Sequence, residues 1–497
     1  MFKKISFILM LFVFHFSIIA QNDCLIDFDY IINKIKEDYP GYNDKVNEKN
    51  LPELKALETK IREKIKQYPD NCSKYLNEYC DFFEDYHLGV GKNRENNKNI
   101  NEKREILEIS SYGKNININE DSLYNATKNN KGIEGIWKNI GDELAIFKNG
   151  ENIIASVITK KNNTWKRGQI IYEITPLTET TFEFKEHTLI KNGKISKVEV
   201  SIHSEGNILE IHDDTRFVRK TRDSISNIAA LYSYSAKFPN GSNTYPVAMP
   251  LDDSTYYIRV PSFYSDYSNN WIESHLEEIT KRPYLIIDIR NNGGGQDNYY
   301  DWLAKLIYTN PFKSDGVEWY ASKGNIQYFE DIIKNKKYKK NLEDENDWEK
   351  WTSDLVEEMK KNVGGFVVHP HYVGNDIISR DTIFIFPRKV GIIINEENGS
   401  SAEQFLLEAK ESKKVILFGN QNTAGVLDYS NKTPTITPSG KYDLWCPMTR
   451  STRLPDYPID NIGIAPDVII PFEPTLQLYN RLDDWVYFVY YYLQFSK

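Results

Sequence analysis

The stretch that most constrains the fold is residues 391–410, which read Gly-Ile-Ile-Ile-Asn-Glu-Glu-Asn-Gly-Ser-Ser-Ala-Glu-Gln-Phe-Leu-Leu-Glu-Ala-Lys. Its apolar start predicts a buried strand, its polar centre a sharp turn, and its periodic end a helix. Strands that alternate with helices indicate an α/β core, which we expect over residues 225–475. Further apolar runs predict other strands of this core: 256–260, 284–289, 381–386 and 414–418.

Ser400 lies where the predicted strand ends and the helix begins. Backbone N–H groups at a helix start lack partners within the helix, and the helix dipole favours negative charge there. A hydroxyl at this corner is placed to attack a carbonyl, and the same N–H groups are placed to receive the oxyanion. A structural alternative stays open, because Ser400 followed three residues later by Glu403 is also a capping box.

A second loop carries three consecutive glycines, in Asp288-Ile-Arg-Asn-Asn-Gly-Gly-Gly295. Glycines let the backbone approach a ligand closely and adopt conformations that other residues avoid. The loop does not match a phosphate-binding loop, because no Gly-Lys-Ser/Thr follows. We expect it to supply a second oxyanion N–H. The alternative is a plain tight turn between strand and helix.

A serine nucleophile needs a base to take its proton. Among the eight histidines, His87 lies in a compact motif, Phe83-Glu-Asp-Tyr-His-Leu-Gly-Val-Gly91, and is our candidate. The alternative is a histidine whose ring is satisfied by structural neighbours. The remaining histidines are assigned to the signal segment, to strands or the surface, or to charged helical segments: His15, His187, His203, His212, His275, His369 and His371.

Three segments together resemble the C-terminal processing (tail-specific) peptidase family, which includes the tricorn core protease and the retinoid-binding repeats of the photoreceptor matrix. They are 284–295, 395–403 and Gly463-Ile-Ala-Pro-Asp467, in the family's order. The resemblance covers residues 225–475 and the His87 motif. It implies an α/β fold of the crotonase and ClpP type, which is a spiral of ββα units. It also implies a peptide or unfolded-protein substrate and no metal or cofactor.

Carried onto this chain, the family's nucleophile matches Ser400, and its oxyanion hole matches the N–H groups of Ser401 and Gly294. One branch of the family uses a lysine base downstream of the serine, where this chain has Gly425. The resemblance therefore does not support a serine–lysine pair.

The tricorn-like branch instead uses a histidine that a serine and a glutamate orient, and His87 resembles this histidine. Tyr86 stands in the place of the orienting serine, and Asp460 in the place of the glutamate. Aspartate is one methylene shorter than glutamate, so its reach toward the ring is reduced.

Several other regions surround the core. We predict a signal peptide at 1–20, a helical region at 21–110, and a β-rich domain, either a meander or a barrel, at 131–218. The β-rich domain occupies the position where relatives carry a PDZ module. The charged segment 319–375 is predicted to be an insertion or lid, and residues 476–497 a C-terminal helix.

The amino terminus and the cysteines bear on location. Lys3 and Lys4 precede an apolar run that ends near Ala20, as in a signal peptide cleaved there, and an uncleaved membrane anchor is the alternative. The mature protein is therefore predicted to be secreted or periplasmic. In an oxidising compartment Cys72 and Cys80 are close enough in sequence to pair, although sequence does not fix the pairing of four cysteines.

Charge and motif content exclude some functions. The net charge is −9 with no sustained basic run, which argues against nucleic acid as a partner. No C-x-x-C and no dense His/Cys/Asp cluster occurs, so no zinc site is predicted.

The leading hypothesis is a serine endopeptidase with Ser400 as nucleophile and His87 as base. A binding protein that keeps the fold and holds a peptide or apolar ligand in an inactive cleft is the main alternative. An esterase of the α/β-hydrolase type is a third, and it would require the Gly-x-Ser-x-Gly motif that the chain lacks around Ser400.

Overall fold

The computed structural model describes residues 23–93, 116–127, 131–138, 142–159, 165–186, 197–203, 206, 208–211, 215–220, 247–264, 267–335, 345–373, 377–472 and 484–495. The predicted signal segment 1–20, together with His187 and His212, lies outside these residues.

The helices, in chain order, are α1 (23–38), α2 (Tyr42–Lys45), α3 (Leu51–Gln67), α4 (Cys72–Asp81), α5 (Glu120–Thr127), α6 (Tyr267–Glu273), α7 (Leu276–Ile279), α8 (Asp301–Ile307), α9 (Lys323–Asn335), α10 (Glu345–Lys361), α11 (Ser401–Lys410) and α12 (Asp484–Phe495).

The strands, in chain order, are β1 (Gly89–Lys92), β2 (Gly135–Lys138), β3 (Glu143–Asn149), β4 (Asn152–Thr159), β5 (Ile170–Pro176), β6 (Thr181–Glu186), β7 (Lys197–His203), β8 (Ile208–Ile211), β9 (Thr215–Arg219), β10 (Val247–Pro250), β11 (Thr255–Arg259), β12 (Tyr284–Asp288), β13 (Phe312–Lys313), β14 (Val317–Tyr320), β15 (Phe366–Val367), β16 (Ile377–Ile378), β17 (Lys389–Ile393), β18 (Val415–Gly419), β19 (Tyr429–Ser430), β20 (Thr433–Ile436), β21 (Tyr442–Cys446), β22 (Thr449–Ser451) and β23 (Val468–Ile469).

The chain divides into two compact units, each built from three separate segments. The first unit comprises Met1–Ile100, Asn310–Asp381 and Ala424–Ile464. The second comprises Asn101–Thr309, Thr382–Thr423 and Ala465–Lys497.

The first unit contains the predicted N-terminal helices. Apolar residues at helical spacing on α1, α3 and α4 form one core with strands β1, β19 and β21. A disulfide joins Cys24 of α1 to Cys72 of α4, whereas Cys80 is a buried free thiol. The local Cys72–Cys80 pairing considered from the sequence is therefore wrong, because α1 brings Cys24 next to the start of α4.

Three small sheets complete the described part of the first unit, with the strand orders β1-β21-β20, β15-β14-β22-β19 and β13-β16. The predicted insertion contributes α9 and α10 here. It is tied to α1, because Asp38 accepts a hydrogen bond from the Ser322 hydroxyl at 2.5 Å and its backbone carbonyl accepts one from the Asn325 amide at 3.1 Å.

The second unit is organised by a six-stranded sheet in the order β10-β11-β12-β17-β18-β23. The five parallel strands of this sheet are β11, β12, β17, β18 and β23. Strand β10 is antiparallel to β11. Helix α12 packs on the sheet so closely that a Cβ at Gly391 would overlap the Val489 side chain. This mixed α/β core agrees with the predicted fold class. The strand expected at 381–386 does not form. Ile385 there is 84% exposed, and the segment pairs with no strand in the described part of the chain.

The β-rich region forms a closed barrel of strands β2 to β9. Successive strands pair antiparallel, and β2 closes the barrel on β9. Its interior is filled by apolar side chains, among them Trp137, Phe184 and Leu209, as in small barrels that have no lumen. Among the described residues, no helix is both long enough and apolar enough to cross a membrane.

Candidate active site

Ser400 sits in a strained turn immediately before α11. Its backbone has φ 55° and ψ −126°, a region that residues with a side chain rarely occupy. Its side chain makes no capping hydrogen bond to the helix, so the Ser400 half of the capping box does not form. Glu403 is buried, and its carboxylate accepts a hydrogen bond from the Thr423 hydroxyl. Backbone strain of this kind costs about 1–3 kcal/mol. Such strain at a residue that does not cap a helix is typical of functional positions.

Gly294 lies directly against this turn. It has φ 97°, and a Cβ built on it would lie 2.7 Å from the Gly399 carbonyl oxygen and 2.8 Å from both Ser400 Cβ and Ser401 N. Only glycine fits this approach. The glycine loop and the serine turn therefore form one surface made of backbone atoms.

The N–H groups of this surface differ in their partners. Ser401 begins α11, and its N–H has no acceptor among the described residues, which leaves it available to an oxyanion. The Gly294 N–H instead donates to Asn292 Oδ1 at 2.9 Å. The Gly293 N–H has no acceptor within the described part of the chain. Sequence reasoning did not foresee the contact of Asn292 with the predicted oxyanion donor.

Four asparagines hold the two loops together. The Asn395 side chain accepts from the Asn291 N–H at 2.8 Å and donates to the Asn291 side chain at 2.7 Å. Asn398 donates to the carbonyls of Ile289 and Asn292 and accepts the Asn395 N–H. Asn292 donates to a carbonyl in the segment after β11. These bonds fix the glycine loop relative to the serine turn without using a charged group.

A buried ionic group anchors the glycine loop at its start. The Asp288 carboxylate accepts hydrogen bonds from Arg290 Nε at 3.0 Å and Nη2 at 2.7 Å, and from the Tyr257 hydroxyl at 3.0 Å. Arg259 Nη1 lies 3.2 Å from the same carboxylate. Asp288 is fully buried, so its charge requires these partners.

His87 lies in the first unit and is 7% exposed. Its Nδ1 is 2.6 Å from the carbonyl oxygen of Tyr429. A carbonyl only accepts, so Nδ1 carries the hydrogen and Nε2 of the neutral ring carries the lone pair. Burial lowers the pKa of His87, Lys432 lowers it further, and Asp85 opposes the shift. The ring is therefore neutral at pH 7, which is the state a general base needs.

Asp460, also in the first unit, does not touch the His87 ring. Its Oδ1 accepts the N–H groups of Leu427 and Asp428, both at 2.8 Å, and its Oδ2 lies 3.9 Å from Lys45 Nζ. Burial, with Asp85 nearby, raises the pKa of Asp460 to about 7. The structure thus changes the role expected of Asp460, because the group at His87 Nδ1 is a backbone carbonyl and not this carboxylate.

The other two departures from the family pattern are at Tyr86 and Gly425. Tyr86, in the place of the orienting serine, is 74% exposed. Gly425, in the place of the lysine base, has φ 72°, and a Cβ there would lie 2.7 Å from Asn461 N and from the Ile459 carbonyl oxygen. A lysine therefore does not fit at this position.

Two other described histidines have structural neighbours. His369 is buried, stacks on Trp351 at 4.1 Å between ring centroids, and lies 3.0 Å from the Trp351 carbonyl oxygen. His371 lies 3.1 Å from Asp354. Within the described ranges, no three His, Cys, Asp or Glu side chains are placed to hold a metal ion.

The candidate residues thus fall into two groups. The structure brings Ser400, Ser401 and Gly294 together in the second unit. It places His87 and Asp460 in the first unit, where both are linked to the segment 427–429.

Part of the chain is similar to a known protein family. Residues 254–470 match the model of peptidase family S41. A search of curated protein sequences found no match.

Among solved structures, mature CPAF is similar at 12% sequence identity and a TM-score of 0.50, over 96% of this chain and 97% of that one. The complex of mature CPAF with lactacystin gives 13% identity and a TM-score of 0.48, over 96% and 97% of the two chains. The photosystem II D1 C-terminal processing protease gives 12% identity and a TM-score of 0.34, over 90% and 93%. At 12% identity, the similarity to mature CPAF shows the fold alone.

Proposed function

We propose that the protein, whose residues 254–470 match the model of peptidase family S41, is a serine endopeptidase with Ser400 as nucleophile and His87 as general base. The observation that carries the proposal is the strained backbone of Ser400, pressed against a glycine that no other residue can replace. A binding protein with a lost activity would have no need to maintain that strain.

The proposed reaction uses each group in one role. His87 Nε2 takes the proton from Ser400 Oγ, and the oxygen attacks the carbonyl carbon of a peptide bond. The N–H of Ser401 receives the oxyanion, with Gly294 as the second donor once its bond to Asn292 is shared or released. His87 then protonates the leaving amine, and a water molecule, activated by the same ring, releases the acyl group.

Histidine is preferred over lysine as the base for two reasons. The Gly425 position has no space for a side chain. His87 is neutral and held through Nδ1, which directs its Nε2 lone pair away from the Tyr429 carbonyl. The tricorn-like assignment made from the sequence therefore remains our proposal for the base.

Labelling with a fluorophosphonate probe tests the nucleophile. Wild type should be labelled, and Ser400→Ala and His87→Ala should not. Ser314→Ala, in the loop after β13, is the matched control and should be labelled like wild type. Labelling of Ser400→Ala, or no labelling of folded wild type together with no cleavage of an internally quenched peptide, would overturn the proposal.

We also propose that the enzyme cleaves within chains without needing a free C-terminus. The barrel occupies the sequence position of the family's PDZ module, and its interior is filled by apolar side chains. Peptides that end in an amide should be cleaved as fast as the same peptides with a free carboxylate. A strong preference for the free acid would contradict this.

The proposed location is the periplasm or the exterior. The sequence of residues 1–20 has the charge and apolar pattern of a signal peptide, and Cys24 and Cys72 form a disulfide, which persists in oxidising compartments. Mass spectrometry of the exported protein should find an amino terminus near residue 21 and two cysteines oxidised. A full-length, fully reduced protein retained in the cytoplasm would contradict it.

A further inference from the structure

We infer that Asp428 and Asp460 act as positioning residues for His87 by holding the Tyr429 carbonyl, so that Asp460 serves through its hydrogen bonds and not through its charge. This inference rests on the proposed function of His87 as the base. It concerns only residues of the first unit.

The two aspartates form a reciprocal clamp between two chain segments. Asp460 Oδ1 accepts the N–H groups of Leu427 and Asp428, both at 2.8 Å. Asp428 Oδ2 in return accepts the N–H groups of Ile459 and Asp460, both at 2.9 Å. Each carboxylate therefore binds the backbone of the segment that carries the other, which fixes segments 427–429 and 459–460 relative to each other.

The clamp ends at the atom that touches the candidate base. Tyr429 follows Asp428 directly, and its carbonyl oxygen is 2.6 Å from His87 Nδ1. The Tyr429 side chain is held as well, because its hydroxyl donates to Asp44 at 3.0 Å. The backbone of His87 is held too, because Asp85 Oδ1 accepts the His87 N–H at 2.8 Å. His87 is thus held between a backbone carbonyl and a buried carboxylate.

The charges around the two aspartates are unequal. Asp428 lies 3.2 Å from Arg453, and both side chains are 2% exposed, so Asp428 is a paired ion. Asp460 faces Asp85 and Asp428, and its one cation among the described residues is Lys45 at 3.9 Å. The pKa of Asp460 is raised to about 7 by burial and by Asp85. A group that is easily protonated at neutral pH is a poor source of a fixed negative charge. Oδ1 of Asp460 accepts its two N–H hydrogen bonds whether the carboxyl group is protonated or ionised.

This arrangement makes a prediction that separates hydrogen bonding from charge. Asparagine keeps an Oδ1 acceptor and alanine does not. Asp460→Asn should therefore keep kcat within about tenfold of wild type, with the acid limb of its pH profile unchanged. Asp460→Ala should lower kcat about 10²-fold with little change in KM, as expected when a base is misplaced. Asp456→Asn and Asp456→Ala, at an exposed position four residues before Asp460, are the matched controls and should behave as wild type.

The opposite outcomes would overturn the inference. If Asp460 acted directly as the charged partner of the imidazolium, Asp460→Asn would lose about 10⁴-fold in kcat, as the amide does in serine–histidine–aspartate triads. If Asp460→Ala were as active as wild type, the clamp would have no positioning role.

A second measurement does not depend on activity or on the behaviour of the alanine variant. With ¹⁵N-labelled histidine in the Ser400→Ala background, His87 should show one tautomer, with the hydrogen on Nδ1, in the parent protein and in Asp460→Asn. Asp428→Asn, which weakens the reciprocal half of the clamp, should show both tautomers. A single tautomer in Asp428→Asn, or a mixture already in the parent, would contradict the clamp. An inactive wild type with the expected tautomers would overturn the proposed function and leave the clamp standing.

Discussion

The serine side and the histidine side of the candidate site are built in different ways. The serine side, in the second unit, is made of two contiguous motifs whose backbone atoms face each other, with Gly294 against Ser400. The histidine side, in the first unit, is held by a hydrogen bond between residues 342 positions apart. A local sequence motif therefore describes the serine side almost completely and the histidine side only in part.

The carboxylates of the two sides also differ. Asp288 supports the glycine loop as a fully buried ion with two arginines and a tyrosine hydroxyl around it. Asp460 supports the segment before Tyr429 with two backbone N–H groups and one distant lysine. The first carboxylate is stabilised as an anion, whereas ionisation of the second costs free energy. The following predictions test this contrast.

The largest effect is expected at the glycine loop. Gly294→Ala places a Cβ within 2.8 Å of Ser400 and forces φ 97° on alanine, so kcat/KM should fall by at least about 10²–10³-fold. Gly293→Ala is the matched control, since its Cβ would meet nothing closer than 4.0 Å, and it should lose less than about tenfold. Steady-state cleavage of a quenched peptide measures both. Equal losses in the two variants would break the claim that the contact with the serine turn is what matters.

The next effect is on stability. Asp288→Ala leaves Arg290 and Arg259 buried without their anion and should lower the free energy of unfolding by about 3–5 kcal/mol. Asp301→Ala, which removes a surface ion pair with Lys305, should cost less than about 1 kcal/mol. Denaturant unfolding compares the two. A small loss for Asp288→Ala would mean that the glycine loop does not depend on this ion.

Substitution of Asp460 should change the free energy of unfolding in the opposite direction. The folded pKa of Asp460 is raised from the ordinary value of 3.8 to about 7, so the stability contributed by its protonation is lost as the pH rises from about 4 to about 7. Asp460→Asn should therefore be more stable than wild type by about 2 kcal/mol at pH 8, with the difference vanishing near pH 4. Thermal unfolding across this pH range measures it. A less stable Asp460→Asn at pH 8 would show that Asp460 is a favourable anion like Asp288.

The smallest effect concerns the titration of the base. Burial and Lys432 lower the pKa of His87, so kcat/KM should fall on the acid side with a midpoint below about 6.5. Lys432→Gln should move this midpoint upward by about half a pH unit, because a cation that disfavours the imidazolium is removed. Lys441→Gln, whose lysine pairs with Asp23, is the control. An unchanged midpoint in Lys432→Gln would show that burial alone sets the pKa.

Much of the serine side was predictable because its chemistry needs residues that are close in sequence. The strand, turn and helix around Ser400 and the glycine loop after β12 follow from apolar periodicity and from glycine content. The asparagines that join the two loops were visible as residues, but their pairing was not. Asn291 and Asn395 are 104 positions apart, and only parallel β12 and β17 bring them together.

The histidine side shows where sequence reasoning fails. The Asp460 carboxylate was assigned to the His87 ring from a resemblance, whereas the structure places it on the backbone of Leu427 and Asp428. The disulfide is a similar case, since short spacing favoured Cys72 with Cys80 and helix packing joined Cys24 to Cys72. The run at 381–386 has the alternation of a strand, but a strand needs a neighbour, and this segment has none among the residues that the structure describes.

The sequence by itself determined the α/β core, the helical and β-rich regions that accompany it, and the serine turn with its glycine loop. Those features depend on periodicity and on backbone conformations that particular residues allow. The tertiary structure alone decided which N–H groups are occupied, which group faces His87 Nδ1, and which carboxylates are paired. Hydrogen bonds and desolvation act between groups that meet only after folding, so no spacing along the chain encodes them directly.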